Sequence, residues 1–322
     1  MTRSWLILFA ALVLAPAASA QLVKAPWPAS LSAEAREGLA ANDARPPEPA
    51  TIEGRRDRAE AIQREIGAPR LARYGVTMKD DVIAGVPVRL FTPAKGAAKG
   101  RVLLNLHGGG FLVDAGSISE NAAVAALTGY PVVAVRYRLA PENPFPAAVD
   151  DAVAVYRALL SDHEPKRIGL YGTSAGAILS AELVARLRAD KLPQPAALGF
   201  FSGTADLSRQ ADSVTLFADP SAATMLVQLY AGARAADDPL LSPQRGDLAG
   251  WPATLCLTSG RDFLLSATAD FCRALDAAGV PAQLMLFDGL PHAFWSYIDA
   301  PETDAAFAAM ARFFAARLGD GK

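Results

Sequence analysis

Short apolar runs alternate with longer stretches of helical character from Val86 almost to the end of the chain. This alternation is typical of an α/β fold with a mainly parallel sheet. The run Val102–Leu106 is so apolar that it predicts a strand buried on both faces. The 322-residue length leaves room for a large core, so the pattern predicts one sizeable α/β domain.

The predicted elements follow this order along the chain. The strands are expected at Val86–Thr92, Arg101–His107, Pro131–Tyr137, Arg167–Tyr171, Ala197–Ser202, Ala253–Ser259 and Ala282–Phe287. The helices are expected at Leu31–Ala41, Ile52–Ile66, near Ser119–Leu127, Pro146–Leu160, Ala175–Ala189, Phe263–Ala278 and Thr303–Arg317.

Two segments interrupt the alternation, and both are mainly helical in character. Residues 21–75 contain a proline-rich break, and residues 206–245 are irregular. We interpret them as N-terminal cap helices and a cap insertion that lie over the strand ends. The core is then predicted to comprise residues 76–205 and 246–322.

The first 20 residues have the three parts of a secretory signal peptide. Arg3 provides a positive charge, residues 5–15 are apolar, and Ala18-Ser19-Ala20 matches the small-x-small cleavage pattern. The apolar run is shorter than the about 20 residues that span a bilayer, so no stable membrane span is expected in the mature chain. We predict export to the periplasm or the medium after cleavage near Ala20. An uncleaved anchor is the alternative.

Export would place Cys256 and Cys272 in an oxidising compartment, where a disulfide can form. Cys256 lies in a predicted buried strand and Cys272 in the following helix. We favour two buried thiols that act as small hydrophobic side chains, and the disulfide remains the alternative.

Charge and composition exclude several function classes. The chain has 31 Lys+Arg against 33 Asp+Glu, and it has no basic cluster of the kind that binds nucleic acid. Two cysteines and three scattered histidines argue against a structural zinc site and a multi-histidine metal site. We therefore expect neither a metal nor an organic cofactor, and no nucleic-acid partner.

The GTSAG run of residues 172–176 is the strongest functional signal. It follows a predicted strand and opens a predicted helix, which is the context of a nucleophile elbow. Glycines on both sides of Ser174 allow the strand and helix to approach closely. We therefore predict Ser174 as a catalytic nucleophile, and a glycine-rich turn with a solvated serine is the alternative.

A second signal is the HGGGF run of residues 107–111, directly after the strand predicted at Arg101–His107. Consecutive glycines suit a loop whose backbone N–H groups point into a site. Two such groups, together with the N–H of Ala175, can bind an oxyanion. A flexible glycine turn is the alternative.

His292 is the predicted base because it follows the strand Ala282–Phe287 and completes the chain order Ser…Asp…His. His107 is expected to orient the glycine loop through hydrogen bonds. His163 lies in a polar turn and is expected at the surface.

Asp262 is the predicted acid, because it follows the strand Ala253–Ser259 and precedes His292 by 30 residues. Its role would be to hold the imidazole tautomer and stabilise the imidazolium. Asp206 also follows a strand and is the main rival. Asp270 lies inside a predicted helix, and Asp288 is expected to cap a turn.

Several motifs together resemble the hormone-sensitive-lipase-like family of α/β hydrolases, the bacterial type IV esterases, in its GTSAG branch. They are HGGGF at 107–111, YRLAPE at 137–142, FPAAVDD at 145–151, GTSAG at 172–176 and PHAF at 291–294. The resemblance extends from about residue 77 to the C-terminus. It implies an eight-stranded sheet flanked by helices, a helical cap, and oxyanion donors at Gly109, Gly110 and Ala175.

The sequence departs from the family pattern at a few positions. Ala177 stands where a further glycine is common, Asn143 replaces a common histidine, and Phe263 replaces the usual proline after the acid. None of these changes removes a catalytic group. The predicted signal peptide also departs from the many family members that are cytoplasmic.

These patterns predict a serine carboxylic ester hydrolase for short- to medium-chain esters, working through an acyl-enzyme intermediate. The alternatives are a lactone hydrolase acting on terpenoid-type cyclic esters and a carbohydrate deacetylase. A different class is a non-catalytic binding protein, like the plant hormone receptors that resemble this family. Five cap residues either line an apolar substrate pocket or form the cap's own core: Trp27, Phe217, Met225, Leu226 and Tyr230.

Overall fold

One eight-stranded sheet forms the centre of the computed structural model, which describes residues 26–94, 98 and 100–319. The strand order is β1-β2-β4-β3-β5-β6-β7-β8. Pairing is antiparallel from β1 to β2 and from β2 to β4, and parallel between all later neighbours. The predicted α/β fold with a mostly parallel eight-stranded sheet is confirmed. The predicted signal peptide of residues 1–20 lies outside the described residues.

The strands agree closely with the predicted runs, with one addition. They are β1 Val76–Ile83, β2 Val86–Pro93, β3 Val102–Leu106, β4 Val132–Val135, β5 Ile168–Thr173, β6 Ala197–Phe201, β7 Ala253–Arg261 and β8 Ala282–Pro291. Sequence reasoning missed β1 because it is a largely exposed edge strand that carries Lys79, Asp80 and Asp81. Its hydrogen bonds with β2, and not an apolar pattern, make it a strand.

The helices also lie near their predicted positions. They are α1 Ala33–Asp43, α2 Ile52–Tyr74, α3 Asn121–Thr128, α4 Ala147–Asp162, α5 Ala175–Ala189, α6 Asp212–Phe217, α7 Pro220–Ala231, α8 Leu265–Ala277 and α9 Pro301–Leu318. None of the helices in the described ranges is long and apolar enough to cross a membrane.

Helix α2 is longer than predicted, since it continues through Pro69 to Tyr74. A buried guanidinium holds this final part in place. Arg70 donates hydrogen bonds of 2.8 Å each to the carbonyl oxygens of Ser119, Trp295 and Ile298. These tertiary contacts outweigh the poor fit of proline inside a helix.

Two apolar layers cover the faces of the sheet. Helices α4, α5 and α8 pack on one face, whereas α1, α3 and α9 pack on the other. Cys256 and Cys272 are free and buried within the first layer, which agrees with the interpretation as buried thiols.

The predicted cap segments separate into two locations. The apolar face of α1, at Ala35 and Leu39, packs into the same layer as α9. Helices α2 and α7 instead lie against the loop that follows β3: Arg56 of α2 donates to the carbonyl oxygen of Leu112, and Leu226 of α7 approaches Gly110. The division of the chain into cap and core remains a prediction, but α2 and α7 are positioned to cover the loop.

Candidate active site

Ser174 lies in the sharp turn between β5 and α5, with φ 59° and ψ −123°. A positive φ is strained for a residue with a side chain, and such strain persists only where the surrounding structure holds it. The Ser174 N–H donates to the carbonyl oxygen of Phe201 on the neighbouring β6, at 2.9 Å. The turn thus has the geometry of a nucleophile elbow.

Gly172 and Gly176 of this turn must be glycines, because neighbouring backbone atoms occupy the space that a Cβ would need. A Cβ added at Gly172 would lie 2.1 Å from the carbonyl oxygen of Gly176. A Cβ added at Gly176 would lie 1.9 Å from the carbonyl oxygen of Leu106, at the end of β3. Since backbone atoms cannot move aside cheaply, the glycines allow α5 to begin directly over the strand ends.

His292 joins the serine and the aspartate in one hydrogen-bonded chain. Its Nε2 lies 2.9 Å from Ser174 Oγ, and its Nδ1 lies 2.6 Å from Asp262 Oδ1. A carboxylate only accepts hydrogen bonds, so Nδ1 carries the proton and the neutral imidazole presents Nε2 as the acceptor for the serine hydroxyl. This arrangement can remove a proton from Ser174 as its oxygen attacks an electrophile.

Asp262 is fully buried at the end of β7, and its carboxylate is well satisfied. Its Oδ1 also accepts the N–H of Leu264, and its Oδ2 accepts the hydroxyl of Thr258, each at 2.8 Å. Burial opposes ionisation, but the charge interaction and hydrogen bond with His292 outweigh it and lower the pKa of Asp262 below its ordinary value. An ionised Asp262 therefore orients the imidazole.

The rival acids and histidines lie elsewhere. Asp206 pairs with Arg245 at 2.9 Å, and Asp270 on α8 pairs with Arg209. His163 lies in a partly exposed turn beside the carbonyl oxygen of Gly100. The structure thus brings together Ser174, Asp262 and His292, as the chain order predicts, and no rival.

The predicted oxyanion donors line the same cavity as the serine. Ala175 is the first residue of α5, so its N–H has no intrahelical partner. Gly109 and Gly110 adopt positive φ angles of 117° and 62°. Among the described residues, no backbone carbonyl accepts a hydrogen bond from the N–H groups of these three residues.

Residues 108–113 after β3 contain two of the predicted oxyanion donors, and we call them the oxyanion loop. This loop is held by its neighbours. His107 is buried, its Nδ1 lies 2.9 Å from the carbonyl oxygen of Gly108, and its ring stacks on Tyr137 with centroids 4.1 Å apart. The Tyr137 hydroxyl donates to the carbonyl oxygen of His107 at 2.7 Å. His107 thus supports the loop, whereas the imidazole that contacts Ser174 is that of His292.

A cavity of about 570 Å³ opens above Ser174 and His292. Its apolar wall includes Ile62 and Ile66 of α2, Leu226 and Val227 of α7, and Phe263. The lining also includes the polar side chains Asn42, Glu48, Arg55 and Arg58.

Of the five cap residues for which the sequence left two alternatives open, only Leu226 lines this cavity. Tyr230 is buried against Phe111, and Trp27 lies under the guanidinium of Arg261. Phe217 is partly exposed and Met225 is half-buried, and neither lines the cavity.

Glu120 is a buried acid of the cavity wall that sequence reasoning missed. It accepts a 3.0 Å hydrogen bond from the hydroxyl of Thr173, the residue before Ser174. Burial, with a smaller contribution from Asp114, outweighs Thr173 and Arg70 and raises its pKa to about 8. We therefore expect Glu120 to be mainly the neutral carboxylic acid at pH 7.

The substitution Glu120→Gln should make the free energy of unfolding depend less on pH. Between the ordinary pKa of 4.5 and the folded value of about 8, the folded protein binds more protons than the unfolded chain. The free energy of unfolding should therefore fall as pH rises through this interval. Glu120→Gln mimics the neutral acid and removes that contribution.

Urea unfolding gives the free energy of unfolding of wild type and variant at about pH 5 and about pH 8, and the change between the two pH values is compared. Glu34→Gln on the exposed face of α1 is the control, and its free energy of unfolding should change with pH as in wild type. If the free energy of unfolding of Glu120→Gln changed with pH as much as that of wild type, the assignment of a neutral acid would be contradicted.

The fold and this constellation agree with known proteins. A model of the alpha/beta hydrolase fold family matches residues 103–296. The chain belongs to the α/β hydrolase family. The match spans the sheet from β3 to β8 and includes all the residues of the hydrogen-bonded chain at Ser174.

Relatives of this α/β hydrolase are esterases. An acetyl-hydrolase of Streptomyces hygroscopicus is 34% identical over 236 residues, covering 69% of this chain and 78% of the relative. An ethyl acetate hydrolase of Pseudomonas putida is 33% identical over 228 residues, covering 65% and 71%. An esterase of the bacterial hormone-sensitive lipase family has a TM-score of 0.80 and 29% identity, covering 89% of this chain and 99% of that structure.

These similarities identify the α/β hydrolase as a hormone-sensitive-lipase-like enzyme that hydrolyses carboxylic esters. Its substrates are therefore small-molecule esters.

Proposed function

We propose that this enzyme is a serine esterase in which Ser174 is the nucleophile, His292 the general base and Asp262 the residue that orients the base. The observation that carries the proposal is the hydrogen-bonded chain from Ser174 Oγ through both nitrogens of His292 to buried Asp262. No metal or organic cofactor has a role in this chemistry.

The first step forms an acyl-enzyme. Ser174 Oγ attacks the ester carbonyl carbon while His292 Nε2 takes its proton. The negative charge that develops on the carbonyl oxygen is stabilised by the N–H groups of Gly109, Gly110 and Ala175, which are already oriented before reaction. The imidazolium then protonates the leaving alcohol, and the carbon–oxygen bond of the ester breaks.

The second step releases the acid by the same route. Water attacks the acyl-enzyme carbonyl while His292 removes its proton, and the imidazolium returns a proton to Ser174 as the acyl–oxygen bond breaks. Ionised Asp262 stabilises the imidazolium in both steps and does not take its proton.

Short to medium acyl esters are the proposed substrates. The cavity of about 570 Å³ falls within the range of about 300–1,000 Å³ that small-molecule sites occupy. The names of the acetyl-hydrolase and ethyl acetate hydrolase relatives favour small acyl groups. Lactones, including terpenoid-type cyclic esters, and acetylated carbohydrates are the alternatives, since the same steps would act on them.

A series of aryl esters from acetate to palmitate, run beside a lactone panel and acetylated sugars, tests the proposed substrates. We expect kcat/KM to be highest for short or medium acyl chains, the size class that the names of the relatives favour. Turnover of a lactone or a sugar acetate well above that of every simple ester would replace the proposal by that alternative.

Covalent labelling distinguishes an enzyme of this mechanism from a binding protein that uses the same fold. A fluorophosphonate should modify Ser174 and no other serine, because His292 activates only this hydroxyl. Peptide mass mapping of the product gives the site. An unmodified Ser174 in folded protein would favour the binding protein.

We propose further that residues 1–20 direct export and are removed near Ala20. The three-part pattern of the sequence supports this step. Fractionation of the native host followed by mass spectrometry should find the enzyme outside the cytoplasm with Gln21 as its first residue. A cytoplasmic enzyme that retains Met1 would contradict export.

A further inference from the structure

Glu182 of α5 is a fully buried carboxyl that has no part in the proposed chemistry. The hydroxyl of Tyr230 on α7 donates a hydrogen bond to its Oε2, whereas its Oε1 is buried without a partner among the described residues. Burial raises the pKa of Glu182 well above its ordinary value. A buried acid with one partner is costly, so its contact with Tyr230 requires an explanation.

Tyr230 connects this acid to the oxyanion loop. Its ring stacks on Phe111 with centroids 3.4 Å apart and an interplanar angle of 5°. Phe111 directly follows Gly110 and has a positive φ of 64°. Because that backbone conformation is unfavourable for phenylalanine, the stacked ring helps to hold the loop in it.

The rest of Tyr230 is fixed as well. Its carbonyl oxygen accepts the N–H of Phe145 at 2.7 Å, and the Phe145 ring packs edge-on against it with centroids 6.0 Å apart. One turn earlier on α7, Leu226 side-chain atoms come within 3.5 Å of the position of a Cβ at Gly110. One face of α7 therefore covers the loop from Gly110 to Phe111.

We propose that Glu182 and Tyr230 are positioning residues for the oxyanion hole. Glu182 fixes the Tyr230 ring, the ring fixes Phe111, and Phe111 fixes the direction of the N–H groups of Gly109 and Gly110. This inference rests on the proposed function, because it assigns those N–H groups to the oxyanion. It makes the placement of α7 a determinant of the chemical step and not only of substrate access.

Variants of the pair separate positioning from stability. Tyr230→Phe keeps the ring and removes the hydroxyl, and Glu182→Leu removes the acceptor. The double variant replaces both polar partners by apolar groups, which can leave stability nearly unchanged or raise it. Glu182→Gln is the conservative variant, because its amide oxygen still accepts the Tyr230 hydroxyl.

At a temperature where every variant is folded, we measure kcat and KM for an aryl ester and the inhibition constant of an aryl trifluoromethyl ketone. Thermal unfolding is measured separately for each variant. The ketone forms a tetrahedral adduct on Ser174 whose oxygen occupies the oxyanion hole. We expect Tyr230→Phe, Glu182→Leu and the double variant to lower kcat and ketone affinity by about tenfold. This loss is smaller than that for a deleted donor, and KM should change little.

Glu182→Gln should restore most of the activity, and the double variant should lose activity although its unfolding temperature stays near that of wild type. Tyr156→Phe is the matched control: Tyr156 is fully buried and donates to the carbonyl oxygen of Pro193 at 3.0 Å, away from the site. This control should lose stability and keep kcat.

Wild-type kcat and ketone affinity in the double variant would overturn the proposal. So would a loss of kcat that only follows the fall in unfolding temperature across the series, Tyr156→Phe included. The proposed function has its own separate test, because it fails if Ser174→Ala keeps its activity, whatever the Tyr230 variants do.

Discussion

Replacing Ser174 by alanine should lower kcat/KM for an aryl ester by about 10⁶-fold while the protein stays folded. The substitution removes the oxygen that forms the acyl-enzyme, and His292 then has no nucleophile to activate. Alanine keeps the Cβ that Ser174 already carries at φ 59°, so the turn gains no new strain. Steady-state kinetics on protein purified from a host without background esterases measures the loss.

The control for this variant is Ser161→Ala, at an exposed serine near the end of α4. It should match wild type in activity. Circular dichroism and thermal unfolding should show the wild-type fold for both variants. Fluorophosphonate labelling should disappear only in Ser174→Ala. Retained turnover by pure, folded Ser174→Ala would refute the assignment of the nucleophile.

Replacing Asp262 by asparagine should lower kcat by about 10⁴-fold. Asparagine nearly preserves the shape of the side chain, but its amide can donate a hydrogen to Nδ1 of His292. The imidazole then carries its proton on Nε2, and it cannot accept the proton of Ser174. The effect is therefore mainly on kcat, with a smaller change in KM.

Asp206→Asn is the matched control, because Asp206 is also buried and also follows a strand of the sheet. Its partner is Arg245, so this variant should lose stability and keep kcat. The opposite result, with activity lost in Asp206→Asn and kept in Asp262→Asn, would transfer the role of the acid to Asp206.

The sequence predicted the elements whose signal is local. The elbow requires only a buried strand, a short glycine-flanked turn and a helix, and all three are adjacent in the chain around Ser174. Predicting His292 and Asp262 required only their order after successive strands. The edge strand β1 was missed because its stability comes from pairing with β2, and the end of α2 was missed because Arg70 finds its partners far along the chain.

The parts of the site that sequence reasoning missed depend on distant contacts. Glu120 bonds to Thr173 across 53 residues, and Tyr230 bonds to Glu182 across 48 residues. The available signal was Glu182, the single charged residue in the run Ala177–Val184 of α5. A buried acid is expected there, but nothing in the sequence shows which side chain meets it.

The guanidinium of Arg70 joins α2 to the segment that follows His292. Its acceptors at Trp295 and Ile298 lie 225 and 228 residues later, just beyond His292. During synthesis, these bonds can form only when almost the whole chain has been made. An enzyme trimmed back to β1, or one interrupted before Trp295, would lack these bonds next to His292. We therefore expect hydrolytic activity to report on the integrity of both segments.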